Sequence, residues 1–233
     1  MTDLTCTICN TTAEGNYCEN CGQSINNPDI TFWGMIKDLF NSALDIDKSV
    51  ILNVFSIPFS PNKMIVNYWN GNRKYYPSPF KVLIYALVLA GLHITYVNST
   101  VLGINLTSQG VNAQVTFWII ILPLLTLTSF LAFIRRKLSL TKHLISLLYI
   151  AGGFFILLTL LDEILLSAGI ELDHNIFFGF LILVFLYNSF IFSIRKKALT
   201  VGFNTILQLI IFAGIVALII VVLSTFPGAF VTD

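Results

Sequence analysis

Apolar residues form five long blocks in this chain, at 80–97, 115–134, 144–166, 175–194 and 203–226. Each is close to the about 20 residues that a helix needs to cross a bilayer core. Turn-forming stretches separate them: Asn98 to Gly110, Arg135 to Lys142, Gly169 to His174 and Arg195 to Gly202. No block alternates apolar with polar residues at period two, so the pattern gives no support to a β-barrel. Upstream the pattern changes. Phe32, Met35, Ile36, Leu39, Phe40, Ala43 and Leu44 recur at helical spacing, with Lys37, Asp38, Asn41 and Asp45 off the stripe. This predicts an amphipathic surface helix of about 14 residues, capped by Thr31 or Asp29, with Phe32 and Trp33 at headgroup level. Residues 50–57 are apolar but too short to span. Ser60-Pro61 starts another short helix, and Gly71 ends it. Pro77 and Pro79 hold the chain extended before the first block.

Composition narrows the class. Hydrophobic residues make up 56% of the chain and charged residues 11%, against roughly 25% charged in soluble domains. Mean hydropathy is +0.82. The chain therefore reads as an all-α polytopic membrane protein, not a disordered chain, a nucleic-acid-binding domain or an ordinary cytosolic enzyme. Three parts are expected: an N-terminal cysteine module over 1–26, surface helices over 27–79, and a five-helix transmembrane domain over 80–233. The polar first 25 residues have no apolar h-region, so no signal peptide is expected.

Charge adds direction. Lys and Arg number 13 against 12 Asp and Glu, an even balance that hides a separation. Lys63, Arg73, Lys74 and Lys81 flank the start of the first block. Arg135, Arg136, Lys137 and Lys142 lie between the second and third. Arg195, Lys196 and Lys197 lie between the fourth and fifth. The first-to-second connection carries no charge, the third-to-fourth carries only acids, and the tail carries only Asp233. With basic residues retained in the cytoplasm, five spans put the N-terminus inside and the C-terminus outside.

Cys6-Thr7-Ile8-Cys9 and Cys18-Glu19-Asn20-Cys21 are two C-x-x-C pairs with no cysteine left over. Each such turn presents two thiolates to one tetrahedral ion, which predicts a structural zinc ribbon. Gly22 and Asn10 supply tolerant backbone behind the knuckles. The rival reading, two disulfides, needs an oxidising compartment, and the charge argument puts this segment in a reducing one. Four thiolates close the coordination shell against catalysis. Residues 1–36 carry Asp3, Glu14, Glu19 and Asp29 and no base, the wrong sign for nucleic acid. Two roles stay open for the ribbon: protein binding, or a cap that anchors the N-terminus.

Tyr17-Cys18-x-x-Cys21-Gly22-Gln23 and the later Tyr68-x-x-Gly71-x-Arg73-x-x-Tyr76-x-x-Pro79-Phe80 resemble an uncharacterised family of small bacterial membrane proteins, frequent in Bacteroidetes. Its members join a zinc ribbon to several spanning helices. The resemblance covers about the first 85 residues, with Asn72 where Lys is common. It implies a bacterial inner (cytoplasmic) membrane and carries no activity.

Within the blocks, polar groups are few. His93, Asn188 and Gln208 are the candidates for a polar path; each also has a plain reading as a hydrogen-bonded packing residue. Asp162, Glu163, Asp173 and His174 form a candidate outward-facing acidic patch, or simply mark the outer end of the third helix. Pro123 is expected to kink the second span. Ala86/Ala90, Ala151-Gly152-Gly153 and Ala213/Ala217 are expected at close helix contacts. No P-loop, H-E-x-x-H, G-x-S-x-G or cooperating nucleophile–base pair occurs, so no catalytic residue is assigned. The expected function is a non-enzymatic adaptor or scaffold in the lipid bilayer, with a cytoplasmic protein partner or a homo-oligomer; the alternative is a small transporter or channel subunit for a polar or cationic solute.

Overall fold

The computed structural model describes residues 4–6, 11–13, 18, 20, 31–36, 59, 61–70, 76–97, 100–101, 104–105, 111–170, 176–193 and 196–225. Six helices organise them: α1 (Pro61–Trp69), α2 (Pro79–Tyr96), α3 (Val111–Ala132), α4 (Leu140–Ser167), α5 (Ile176–Phe192) and α6 (Ala198–Thr225). Two minimal antiparallel hairpins accompany them: β1 (Leu4–Thr5) with β2 (Thr12–Ala13), and β3 (Thr100–Val101) with β4 (Ile104–Asn105). Helices α2, α4 and α6 are long and apolar enough to cross a membrane; Phe117–Ala132 of α3 and all of α5 are shorter apolar helices.

Helix starts follow local chemistry. Ser78 is extended at the N-cap of α2, its hydroxyl accepting from the Lys81 amide at 3.4 Å, with Pro79 in the first turn. Thr31 caps the helical residues 32–36 through the Gly34 amide at 3.1 Å. The turn from α3 to α4 is a single 3-10 turn (Ile134–Arg136), closed by Lys137 in the left-handed region at φ 51°. The α3 helix continues through Pro123, which has no N–H to donate to the Ile119 carbonyl; Thr126 bonds the Leu122 carbonyl and Thr128 that of Leu124.

Cross-helix pairs define the packing directions. Tyr149 donates to the Pro77 carbonyl, Gly152 faces Val82, and Asp162 meets His93. The near-constant offset shows that α2 and α4 run parallel. Ser129 with Asn188 and Phe133 with Phe192 make α3 and α5 parallel. Trp118 with Phe155 and Ser129 with His143 make α3 antiparallel to α4. Asn188 with Gln208 and Phe185 with Phe212 do the same for α5 and α6. Consecutive long helices thus alternate in direction.

The core is aromatic and aliphatic, with Tyr68, Tyr149, Phe180, Phe185 and Phe192 among the fully buried side chains. A Cβ added at Gly152 would come within 2.9 Å of Val82 Cγ1. Ala86, Ala90 and Ala151 are buried around that contact, as small residues at a tight crossing should be. The third small-residue site is not packed: Ala213 and Ala217 are exposed. Helix α6 begins at Ala198, five residues before the apolar block, and Gly202 lies inside it. Its last turns expose Leu218, Ile220, Val221 and Val222. With Ile119, Phe178, Phe203 and Ile210 also exposed, large apolar side chains face outward on α3, α5 and α6, as on a bilayer-facing surface.

Candidate functional site

A buried polar chain joins four helices. Asn188 on α5 donates from Nδ2 to Ser129 Oγ on α3 at 2.8 Å and to Gln208 Oε1 on α6 at 2.6 Å. Gln208 donates to Ser189 Oγ at 2.6 Å and to the Phe185 carbonyl at 3.2 Å. Thr205 bonds Ser189 Oγ at 3.1 Å, and Ser129 Oγ lies 2.8 Å from His143 Nδ1 on α4. Asn188, Gln208, Ser129, Ser189 and His143 are fully buried, and Thr205 nearly so. Such groups belong in an apolar bundle only when they pair. Two atoms, Asn188 Oδ1 and His143 Nε2, have no hydrogen-bond partner among the described residues. The His143 ring stacks on Phe192 with centroids 4.4 Å apart.

His93 forms a second polar cluster at the other end of the bundle. Its Nε2 lies 3.4 Å from Asp162 Oδ2 and its Nδ1 3.5 Å from Glu163 Oε1, tying α2 to α4. His93 is fully buried, Asp162 nearly so, and Glu163 partly exposed. His93 thus lies in a different cluster from Asn188 and Gln208. Asp162, near the end of α4, turns into the α2–α4 contact, where a buried carboxylate needs the imidazole beside it. Asp173 and His174 lie outside the described residues. No group of three His, Cys, Asp or Glu side chains among the described residues is arranged to hold a metal ion.

The described bases gather at the end opposite His93. Lys81 begins α2, Arg135, Arg136, Lys137 and Lys142 surround the α3–α4 turn, and Lys196 and Lys197 precede α6. Lys63 is on α1, whose Trp69 ring sits 5.8 Å from Lys142 Nζ.

The tyrosine motif is a packing device. Tyr68 is buried edge-on to Tyr149, with centroids 6.0 Å apart. Tyr76 Oη accepts from Asn67 Nδ2 at 3.0 Å. Pro79 is buried in the first turn of α2, and Phe80 meets Phe32 edge-on at 6.2 Å. Together these residues seat α1 and residues 32–36 against the bundle. Gly71 and Arg73 lie outside the described residues.

In the cysteine module, Cys6 donates its amide to the Thr11 carbonyl at 2.9 Å, continuing the β1–β2 pairing. Thr11 Oγ1 lies 3.3 Å from Cys18 Sγ. Cys6 and Cys18 are both buried, one from each C-x-x-C pair, and both meet Thr11. Cys9 and Cys21 lie outside the described residues.

No family model, curated protein or solved structure matches the chain.

Sequence reasoning missed Ser129, His143, Ser189 and Thr205. His143 follows Lys142 and reads as part of the basic turn, and lone hydroxyls in apolar runs carry no signal of their own. A helical wheel would have shown Thr205 and Gln208 near one face, three residues apart.

Proposed function

We propose that this chain is a non-enzymatic integral membrane scaffold with five spans, its N-terminus in the cytoplasm and its C-terminus outside. In this reading Cys6, Cys9, Cys18 and Cys21 hold one structural zinc, and the resulting ribbon presents a cytoplasmic docking surface for a protein partner. The family resemblance assigns the membrane to a bacterial inner membrane. The observation that carries the reading is the pairing inside the bundle: Asn188, Gln208, Ser129 and Ser189 bond mainly to one another and draw helices together. A solute path would need polar groups facing an open cavity. A cavity of about 650 Å³ between α2, α3 and α4 is apolar, and neither Asn188 nor Gln208 lines it. The basic end of the bundle supports the orientation. The burial of Cys6 and Cys18, one from each C-x-x-C pair, supports the metal.

The test uses the full chain and a Cys9→Ser variant, purified from native membranes. The expected result is one zinc per chain in the parent, loss of zinc in the variant, and loss of a co-purifying cytoplasmic partner while the spans still insert. An unchanged partner set with zinc gone overturns the docking role; metal-free parent protein with paired cysteines overturns the ribbon.

A further inference from the structure

The large cavity is a groove between three helices. Phe80, Leu83 and Leu87 of α2 form one wall. Residues from Trp118 to Leu127 of α3 form the second, and Leu140, Thr141 and Leu144 of α4 form the floor at one end. Its volume of about 650 Å³ lies within the range of ligand pockets, roughly 300–1,000 Å³. Its rim includes exposed Ile119, Leu127 and Leu140, so it opens sideways, toward the surroundings of an apolar bundle.

Three observations identify the occupant. First, the lining is almost wholly apolar, with Thr126 and Thr141 its hydroxyls; Thr126 already bonds the Leu122 carbonyl. Second, the wall from Trp118 to Leu127 covers ten residues, nine rises of 1.5 Å or about 14 Å, and the floor at Leu140 carries the groove on to the basic turn. An extended acyl chain has that long, narrow shape. Third, the floor end adjoins Arg135, Arg136 and Lys137, all exposed. Lys137 is three residues from Leu140, so their Cα atoms are at most about 11 Å apart. Among the described residues no carboxylate pairs with these three bases; the described acids, Asp162 and Glu163, lie with His93 at the other end.

We propose that this groove binds one acyl chain of an anionic glycerophospholipid from the leaflet on the basic side, with the phosphate held by Arg135, Arg136 and Lys137. Trp118, 17 residues before Arg135 and so about 26 Å from it along the helix, then lies against the far end of the chain, and the basic turn selects the headgroup.

The experiment follows Trp118 fluorescence in the full chain carrying Trp33→Phe and Trp69→Phe, in nanodiscs doped with phospholipids brominated on the acyl chain. Brominated phosphatidylglycerol is expected to quench Trp118 at a mole fraction where brominated phosphatidylcholine leaves it bright. Each surface base is worth about fivefold in attraction to anionic lipid, so the triple variant R135Q/R136Q/K137Q is expected to weaken that preference by up to about a hundredfold. Leu87→Phe with Leu127→Phe narrows the groove and is expected to abolish quenching while the parent fold persists. Equal quenching by both lipids means ordinary bilayer contact and overturns the proposal, as does an unchanged preference in the triple variant. Absence of quenching by either lipid, with Leu127→Cys cross-linking two chains, assigns the groove to a second copy and also overturns it.

Discussion

Asn188 and Gln208, on the antiparallel helices α5 and α6, share a hydrogen bond of 2.6 Å at a position where neither side chain reaches solvent. The bond is one step in a chain that runs from Thr205 to His143 and crosses four helices. The buried residues of α6 are Val201, Thr205 and Gln208, with Leu209 and Phe212 packed against the core, so the amide pair is one part of what attaches α6. Replacing Asn188 by Leu leaves Gln208 Oε1 without its donor, a loss expected to cost about 1–3 kcal/mol. The double variant N188L/Q208L is expected to cost less than the sum of the two single changes. The coupling should lie near the about 0.6 kcal/mol average, and up to about 1.7 kcal/mol, for such bonds in helical membrane proteins. Reversible unfolding in mixed micelles measures it; additive single effects would show that the bond holds nothing together.

Gly152 sets the separation of α2 and α4. Its missing side chain admits Val82, and a methyl group there would sit 2.9 Å from Val82 Cγ1. Gly152→Ala is therefore expected to destabilise the bundle by about 1–3 kcal/mol, the range for overpacking a filled core. Adding Val82→Ala makes room, so the double variant should recover part of that loss. Thermal denaturation of the three variants decides the matter; no rescue by Val82→Ala would place the strain elsewhere.

The five apolar blocks are helices in the structure because hydropathy and helical geometry act on the same residues, so their positions could be read without tertiary information. Boundaries shifted where packing overrides local preference: Ala198 to Gly202 extend α6 although Gly202 is a weak helix former, with Val201 buried against the bundle. The polar clusters were harder to read. Asn188 and Gln208 stand out as amides among aliphatics, yet their partners Ser129 and Ser189 are recognisable only once helix directions are known. His93 and Asp162 lie in separate blocks, and their meeting depends on α2 and α4 running parallel with Val82 opposite Gly152.

His93 stands between two carboxylates at the end of α2, 3.4 Å from Asp162 and 3.5 Å from Glu163. Its removal strands a buried acid. His93→Leu is expected to cost about 3 kcal/mol, at the low end of the range for breaking a buried pair because these separations are long. Asp162→Leu combined with His93→Leu replaces the pair by apolar contact and should restore most of that stability. Asp162→Asn keeps an acceptor for the imidazole and should cost least. Stability of the four proteins in one detergent at one pH ranks them; a double variant as weak as His93→Leu alone would show that the imidazole acts through packing and not through the carboxylate.

The alternation of helix directions and the gathering of bases at one end make a joint prediction about the membrane. The described Lys and Arg residues lie where α2 and α4 begin, where α3 and α5 end and where α6 begins. Retention of these bases on the cytoplasmic side puts the hairpin β3–β4, the α4–α5 connection and the end of α6 on the opposite face. Reporter fusions at Ser108 and Asp233 are therefore expected to read outside, and one at Lys137 inside. The length of α5, 17 residues, makes it the critical element, since at 1.5 Å per residue it covers about 26 Å, slightly under the hydrocarbon thickness of about 30 Å. If α5 failed to cross, α6 would reverse and the Asp233 fusion would move to the side of Lys137. With α4 crossing, an inside signal at Lys197 together with an outside signal at Asp233 requires α5 and α6 both to cross, each opposite to the other, as the Asn188–Gln208 pairing demands.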